Sequence, residues 1–203
     1  MALVRSLRGN SPKIDGSACL AETAVIEGDV TLGPGTCVLH GAVVSAQGAP
    51  VAIGRNCIVM EQAVIRGAGA QACRIGDHVL IGPHAHVSGA DIGNGVFVAT
   101  GAVVMNGASL DRGTVVQIHA VVHIGVVCPA ETVIPIGHVA IGNPVVVLPA
   151  HELLERGDLS ADIGFTAFVF GFDSTGQTSF EATRELCRRY SAGLARQMKP
   201  SDV

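Results

Sequence analysis

An aliphatic residue returns every six positions over nearly half of this chain, and that period decides most of what the chain can become. Ile26, Leu32, Val38 and Val44 form one run, Ile53, Val59 and Ile65 a second, and Ile75, Ile81 and Val87 a third. Ile92, Val98, Val104, Leu110, Val116 and Val122 form the longest. Small residues such as Thr36, Ala42, Cys57, Ala63, Ala85 and Ala102 stand four places after most of these. A helix would repeat at 3.6 and a half-buried strand at 2, whereas a hexad with glycine or another turn residue after the aliphatic one is the signature of a parallel β-helix. An ordinary glycine-rich sandwich does not hold so many hexads in phase. The 26 glycines, single tyrosine and absent tryptophan of the 203 residues fit thin rungs with many tight corners.

Several function classes are excluded early. Between residues 14 and 148 the cationic side chains are Arg55, Arg66, Arg74 and Arg112, and the formal net charge is −4. Such a surface has nothing to follow a phosphate backbone, so no nucleic-acid partner is expected. No apolar run reaches the ~18 residues of a membrane span, and the opening MALVRSLRGNSPK lacks the apolar centre of a signal peptide. The expectation is a cytoplasmic chain without membrane contact. Six cysteines without a CxxC pair read as small apolar thiols.

The hexads resemble those of the left-handed parallel β-helix of hexapeptide-repeat proteins, in which three hexads make one triangular coil. A more specific resemblance, to the gamma-class carbonic anhydrase-like family, is carried by GAVVSAQGAPVAIGRNCIVMEQAVIRG, by IGDHVLIGPHAHVSGADIGNGVFVATGAVV and by IPIGHVAIGNPVVVLP. It covers residues 14 to about 150. That family has one hexad shortened to five residues, matched here by Val87 to Asp91. The implied architecture is an all-β solenoid over 14–149, preceded by an N-terminal arm over 1–13 and followed by an α-helical tail over 150–203 that packs on the β-helix. The implied assembly is a homotrimer.

In the register of that resemblance, the family's Arg-Gly-Asp falls on Ser45, Ala46 and Gln47, and its Gln-Asp pair on Met60 and Glu61. Its three zinc-binding histidines fall on Arg66, Pro83 and Ser88. Zinc needs three or four N, S or O donors, and neither arginine nor proline is one. No metal and no cofactor is therefore expected, nor is CO2 hydration. The segment IGPHAHVSGADIG does hold His84 and His86, whose spacing would aim both rings to one side of an extended strand. Sliding the register to make either one a ligand misplaces Ile81, Gly82, Ile92 and Gly93, four aligned anchors.

Stacked hexads place equivalent positions in columns. One column reads Ser45, Arg66, Ser88, Met105, His123, and another reads His40, Glu61, Pro83, Thr100, Ile118. The resemblance implies that the two face each other across a subunit boundary. A cleft would then be lined by Arg66, Ser45, Ser88 and His123 of one chain and by Glu61 and His40 of the next. Three readings stay open. Arg66, a fixed cation with a fork of donors, binds a small anionic ligand or stabilises developing negative charge, with Glu61 or His40 as acid or base. Alternatively, Arg66 and Glu61 only replace the lost ion as an intersubunit pair in a structural protein. In the third reading the chain is an acyltransferase using an acyl-CoA, with His123 or His119 as its histidine.

Beyond Pro149 the hexads stop. AHELLERG reads as a short helix, and Phe165, Phe168, Phe170, Phe172 and Phe180 follow. Thr178-Ser179-Phe180-Glu181 is a capping box opening a second helix, with Phe180, Thr183, Leu186, Tyr190 and Leu194 as one stripe and Arg184, Arg188, Arg189 and Arg196 beside it.

Overall fold

The computed structural model describes residues 1–155 and 165–197. Its first part is a left-handed parallel β-helix of three sheets, one to each side of the triangular coil. The first sheet contains Val25–Glu27, Val43–Ser45, Val64–Arg66, His86–Ser88, Val103–Val104 and Val121–Val122 in parallel register. The second runs from Lys13–Ile14 to Val127–Cys128, and the third from Cys19–Leu20 to Val133–Ile134. The six-residue period thus becomes one short strand and one corner, three times per coil.

Burial follows from that geometry. The leading aliphatics Ile26, Val44, Ile65, Val87, Val104 and Val122 point inward and are fully buried, as are the small Ala42, Ala63, Ala102 and Ala120 near the corners. Each buried Val, Leu or Ile contributes about 1.5–3 kcal/mol, so the stacked interior is the main stabilising term. Cys57, Cys73 and Cys128 belong to this interior, whereas Cys19 and Cys187 are exposed and Cys37 is half-buried; all six thiols are free.

Corners require a left-handed residue. Asn56, Gln62, His78, His84, His119 and Glu131 take φ values between 51° and 59° there. His84 therefore sits on a corner and not on a strand, while His86 begins the next strand. The spacing argument for two rings on one side fails because the chain is not extended at His84. One corner column also forbids side chains. A Cβ at Gly54 would lie 2.6 Å from the Gly76 carbonyl oxygen on the next rung, and one at Gly33 would lie 2.6 Å from that of Gly54.

Two corners after the first sheet carry insertions, residues 46–50 and 67–72. They stack on each other, with the Gly48 amide donating to the Gly67 carbonyl at 3.2 Å. The next corner is the shortened one, only Gly89 and Ala90 between His86–Ser88 and Asp91–Ile92.

The solenoid starts earlier than its hexads suggest. Leu3–Arg5, within the stretch read as an arm, pairs in parallel with Val25–Glu27 and is the first strand of the first sheet. At the other end His138–Ile141 turns back on Val146–Pro149 as an antiparallel pair that closes the same sheet.

The chain falls into two compact units, Met1–Asp162 and Ile163–Val203. In the first unit the described part of AHELLERG is helix α1, Ala150–Glu155. The second contains α2, Phe165–Phe170, and α3, Ser179–Gln197. The capping box is formed: the Thr178 amide donates to Glu181 Oε2 at 3.0 Å and the Glu181 amide to Thr178 Oγ1 at 3.3 Å. The apolar stripe of α3 is only partly covered, since Phe180 is 74% exposed. Tyr190 meets the Phe170 ring edge-on at 5.6 Å. The basic side chains beside it are engaged, because Arg188 and Arg189 both donate to Glu185 and Arg189 lies over the Phe172 ring. The side chains of Phe165 and Arg196 lie outside those described. No helix among the described residues is long and apolar enough to cross a membrane.

Candidate functional site

The outward end of the first sheet is polar in a molecule whose rungs are mostly apolar. Arg66 pairs with Ser45 on one side and with Ser88 on the other, and the column continues through Met105 and His123. It also extends in the opposite direction, which the hexads do not reveal. Glu27 precedes Ser45 and Arg5 precedes Glu27. Arg5 Nε donates to Glu27 Oε2 at 2.7 Å, and Ser45 Oγ donates to Glu27 Oε1 at 2.6 Å. Glu27 is 8% exposed, so this pairing provides what a buried carboxylate needs. Glu27 escapes the hexad reading because its partner strand lies inside the stretch expected to be an arm.

Arg66 comes next on the column and has no such arrangement. Its Nε is buried without a hydrogen-bond partner, and among the described residues Arg66 makes no ion pair. Leaving a buried donor unmade costs about 1–3 kcal/mol, more for a charged one. Ser88 beside it is buried. His86, half-buried on the neighbouring strand, has its pKa lowered by burial and further by the Arg66 charge. Among the described residues the second buried nitrogen without a partner is Asn106 Nδ2, on a residue only 5% exposed. Asn106 escapes the sequence reading because it lies beside the Met105 column, not on it.

The other proposed column is also laid out in order. The Gln62 amide donates to the His40 carbonyl, the His84 amide to Glu61, the Gly101 amide to Pro83 and the His119 amide to Thr100, which puts His40, Glu61, Pro83 and Thr100 on successive rungs. These lie on the corner entering the first sheet, whereas Arg66 and Ser88 lie at its exit. Within one chain the strand Val64–Arg66 separates Glu61 from Arg66, and the two make no contact that pairs their charges. His40 is exposed and shares a 3.0 Å hydrogen bond with Thr23 Oγ1. Met60 and Gln47 are half-buried at their corners and bring no charge.

Two other histidines differ in the proton they hold. The Ile124 amide donates to His123 Nδ1 at 2.8 Å, so the neutral ring carries its proton on Nε2; burial lowers the His123 pKa. That tautomer donates and is wrong for a general base at Nε2. His138 is the reverse: its Nδ1 lies 2.8 Å from the Ile136 carbonyl, which only accepts, leaving Nε2 with a free lone pair. His119 is exposed at a corner, and its imidazole lies where a Cβ on Gly101 would stand.

The donor set does not fit zinc. Arg66, Pro83 and Ser88 hold the places the resemblance assigns to ligands, and among the described residues no three His, Cys, Asp or Glu side chains group to hold an ion. A depression of about 350 Å³ exists on the second sheet, but Arg74 and Asp91 within it pair with each other at 3.1 Å. It lies on a different sheet from the Arg66 column.

Residues 72–106 match the family model described as bacterial transferase hexapeptide (six repeats). No curated protein matches the chain. Among solved structures, a hexapeptide transferase family protein from Anaplasma phagocytophilum is 23% identical with a TM-score of 0.55, over 81% of this chain and 96% of that one. A putative acetyltransferase from Bacillus cereus is 19% identical with a TM-score of 0.46, over 95% and 98%. The chain thus carries hexapeptide repeats and shares its β-helix fold with the Anaplasma protein.

Proposed function

We propose that this chain is a divergent, homotrimeric relative of the gamma-class carbonic anhydrase-like proteins whose former metal place has become a metal-independent site for a small anionic ligand. The observation that carries this reading is the buried Arg66 Nε with no partner, flanked by Ser45 and Ser88 on the ladder. A guanidinium there offers a carboxylate a paired, charge-assisted contact worth more than a neutral hydrogen bond. Ser88 adds a hydroxyl, and Glu61 or His40 of a neighbouring chain supplies an acid or base if a reaction takes place. The test is a thermal-shift screen of small carboxylates on wild type, Arg66→Met and the Arg66→Met/Glu61→Leu double variant, with metal analysis of protein purified without chelator. The reading expects far less than one zinc per chain and a carboxylate shift that disappears with Arg66. No carboxylate shift, together with a double variant as stable as wild type, would instead favour a structural role for the pair.

A second reading, acyl transfer from an acyl-CoA, is favoured by the transferase-type hexads over 72–106 and by the free Nε2 of His138. The His123 tautomer counts against that residue as its base. Stabilisation by acetyl-CoA that disappears in His138→Asn would support this reading over the first.

A further inference from the structure

We infer that the anion site extends to Asn106 and takes a ligand with acceptor oxygens at both ends, a short dicarboxylate. The inference rests on the reading of Arg66 as an anion anchor and adds the second contact that selects among anions. Among the described residues, two buried side-chain nitrogens lack a partner, Arg66 Nε and Asn106 Nδ2, and the backbone between them connects them directly. The Gly89 amide donates to the Arg66 carbonyl at 2.8 Å, and the Gly107 amide donates to the Gly89 carbonyl at 2.7 Å. Gly89 is thus the residue between the two rungs.

The Asn106 side chain leans back over it. A Cβ at Gly89 would stand 3.0 Å from Asn106 Nδ2 and 2.9 Å from Gln71 Cβ. The missing side chain at Gly89 therefore leaves room for the amide to reach toward the Arg66 rung, alongside the loop of residues 67–72. Rungs repeat at roughly 4.8 Å, so an amide displaced by about one rung leaves about one more between it and Arg66. Both orphaned groups donate, as does the Ser88 hydroxyl between them, while Glu27, the carboxylate of the same column, already accepts from Arg5 and Ser45. A site of donors separated by a rung matches two acceptor groups joined by a short linker. Malonate and succinate have that chemistry; acetate satisfies only Arg66.

Titration calorimetry of the full chain with acetate, malonate and succinate decides it. In wild type one of the two dicarboxylates binds at least about tenfold more tightly than acetate, the effect of one further hydrogen bond to a charged acceptor. Asn106→Leu removes that advantage and leaves acetate unchanged. Asn106→Asp, which keeps the shape but replaces donor by anion, weakens the dicarboxylate below acetate and covers the case in which the leucine variant fails to fold. Arg66→Met abolishes binding of all three. If both Asn106 variants keep the wild-type preference while Arg66→Met loses binding, the Asn106 contact is wrong and the Arg66 anchor stands. If no carboxylate binds wild type in an Arg66-dependent way, the anchor itself is wrong.

Discussion

Arg66 and His86 lie on adjoining strands, and their closeness has a measurable consequence. Burial first and the guanidinium second hold the His86 pKa below its usual value, and burial alone lowers that of His123. Unfolded, both titrate near 6.5. The unfolded chain therefore takes up protons before the folded one, so these residues weaken the fold as pH drops through about 6.5 and cease to change it below their folded pKa values. Thermal melts from about pH 7.5 down to 5 should show a falling Tm, with a shallower fall in His86→Leu. Arg66→Met removes the charge but leaves the burial, so the His86 midpoint followed by NMR should move upward. An unmoved midpoint would mean that the two side chains do not sense each other. At this scale the sequence is uneven as a guide. Stacking of Ser45, Arg66 and Ser88 is legible because hexads in phase dictate which residues become neighbours. Glu27 and Asn106 are not, since the partner of one comes from a rung without hexad signal and the other lies beside the Met105 column, not on it.

At the scale of the elements, glycine at the corner after the second sheet has a steric cause. With a Cβ at Gly54 only 2.6 Å from the Gly76 carbonyl oxygen, Gly54→Ala must push two rungs apart. Overpacking of this kind costs about 1–3 kcal/mol. Gly95, with φ of 67° but no atom within 4 Å of its Cβ position, is the contrast. Gly95→Asn, which tolerates the left-handed region, should change stability by less than Gly54→Ala in urea melts; equal losses would mean that the rungs yield at Gly54 without the overpacking cost. Corners and rungs are readable from sequence because their period is local. The strand Leu3–Arg5, the antiparallel return Val146–Pro149 and helix α2 have no hexad, and only their pairing or packing reveals them. His84 shows the limit of a period taken alone: two residues apart means one side only if the chain between is extended.

The whole β-helix presents three unlike sides. Outward positions on the third sheet are Cys37, Ile58, Leu80, Phe97, Val115 and Val133, and Ile58, Phe97 and Val133 are 40%, 42% and 49% exposed. The first sheet shows Val43, Val64, His86, Val103 and Val121 at its entry, beside the polar Arg66 column at its exit, whereas the second shows Lys13, Thr31, Ala52, Arg74, Asp91, Ser109 and Val127 and is polar at all but Ala52 and Val127. Two apolar sides thus meet at the corner of Glu61, and the polar side lies opposite that corner. A contiguous exposed apolar surface marks association. The two apolar sides are unlike each other. They suit a heterologous contact, in which each copy uses one side toward one neighbour and the other toward the next, and such contacts end in a ring when the rotation closes. Three copies make the ring expected for this chain. Light scattering should therefore return three times the chain mass at micromolar concentration. Phe97→Lys, which places a charge in the apolar side, should lower that mass, while Thr31→Lys on the polar side should not. A monomeric wild type would remove the neighbour from which Glu61 and His40 are expected, and a trimer insensitive to Phe97→Lys would move the contact to another side.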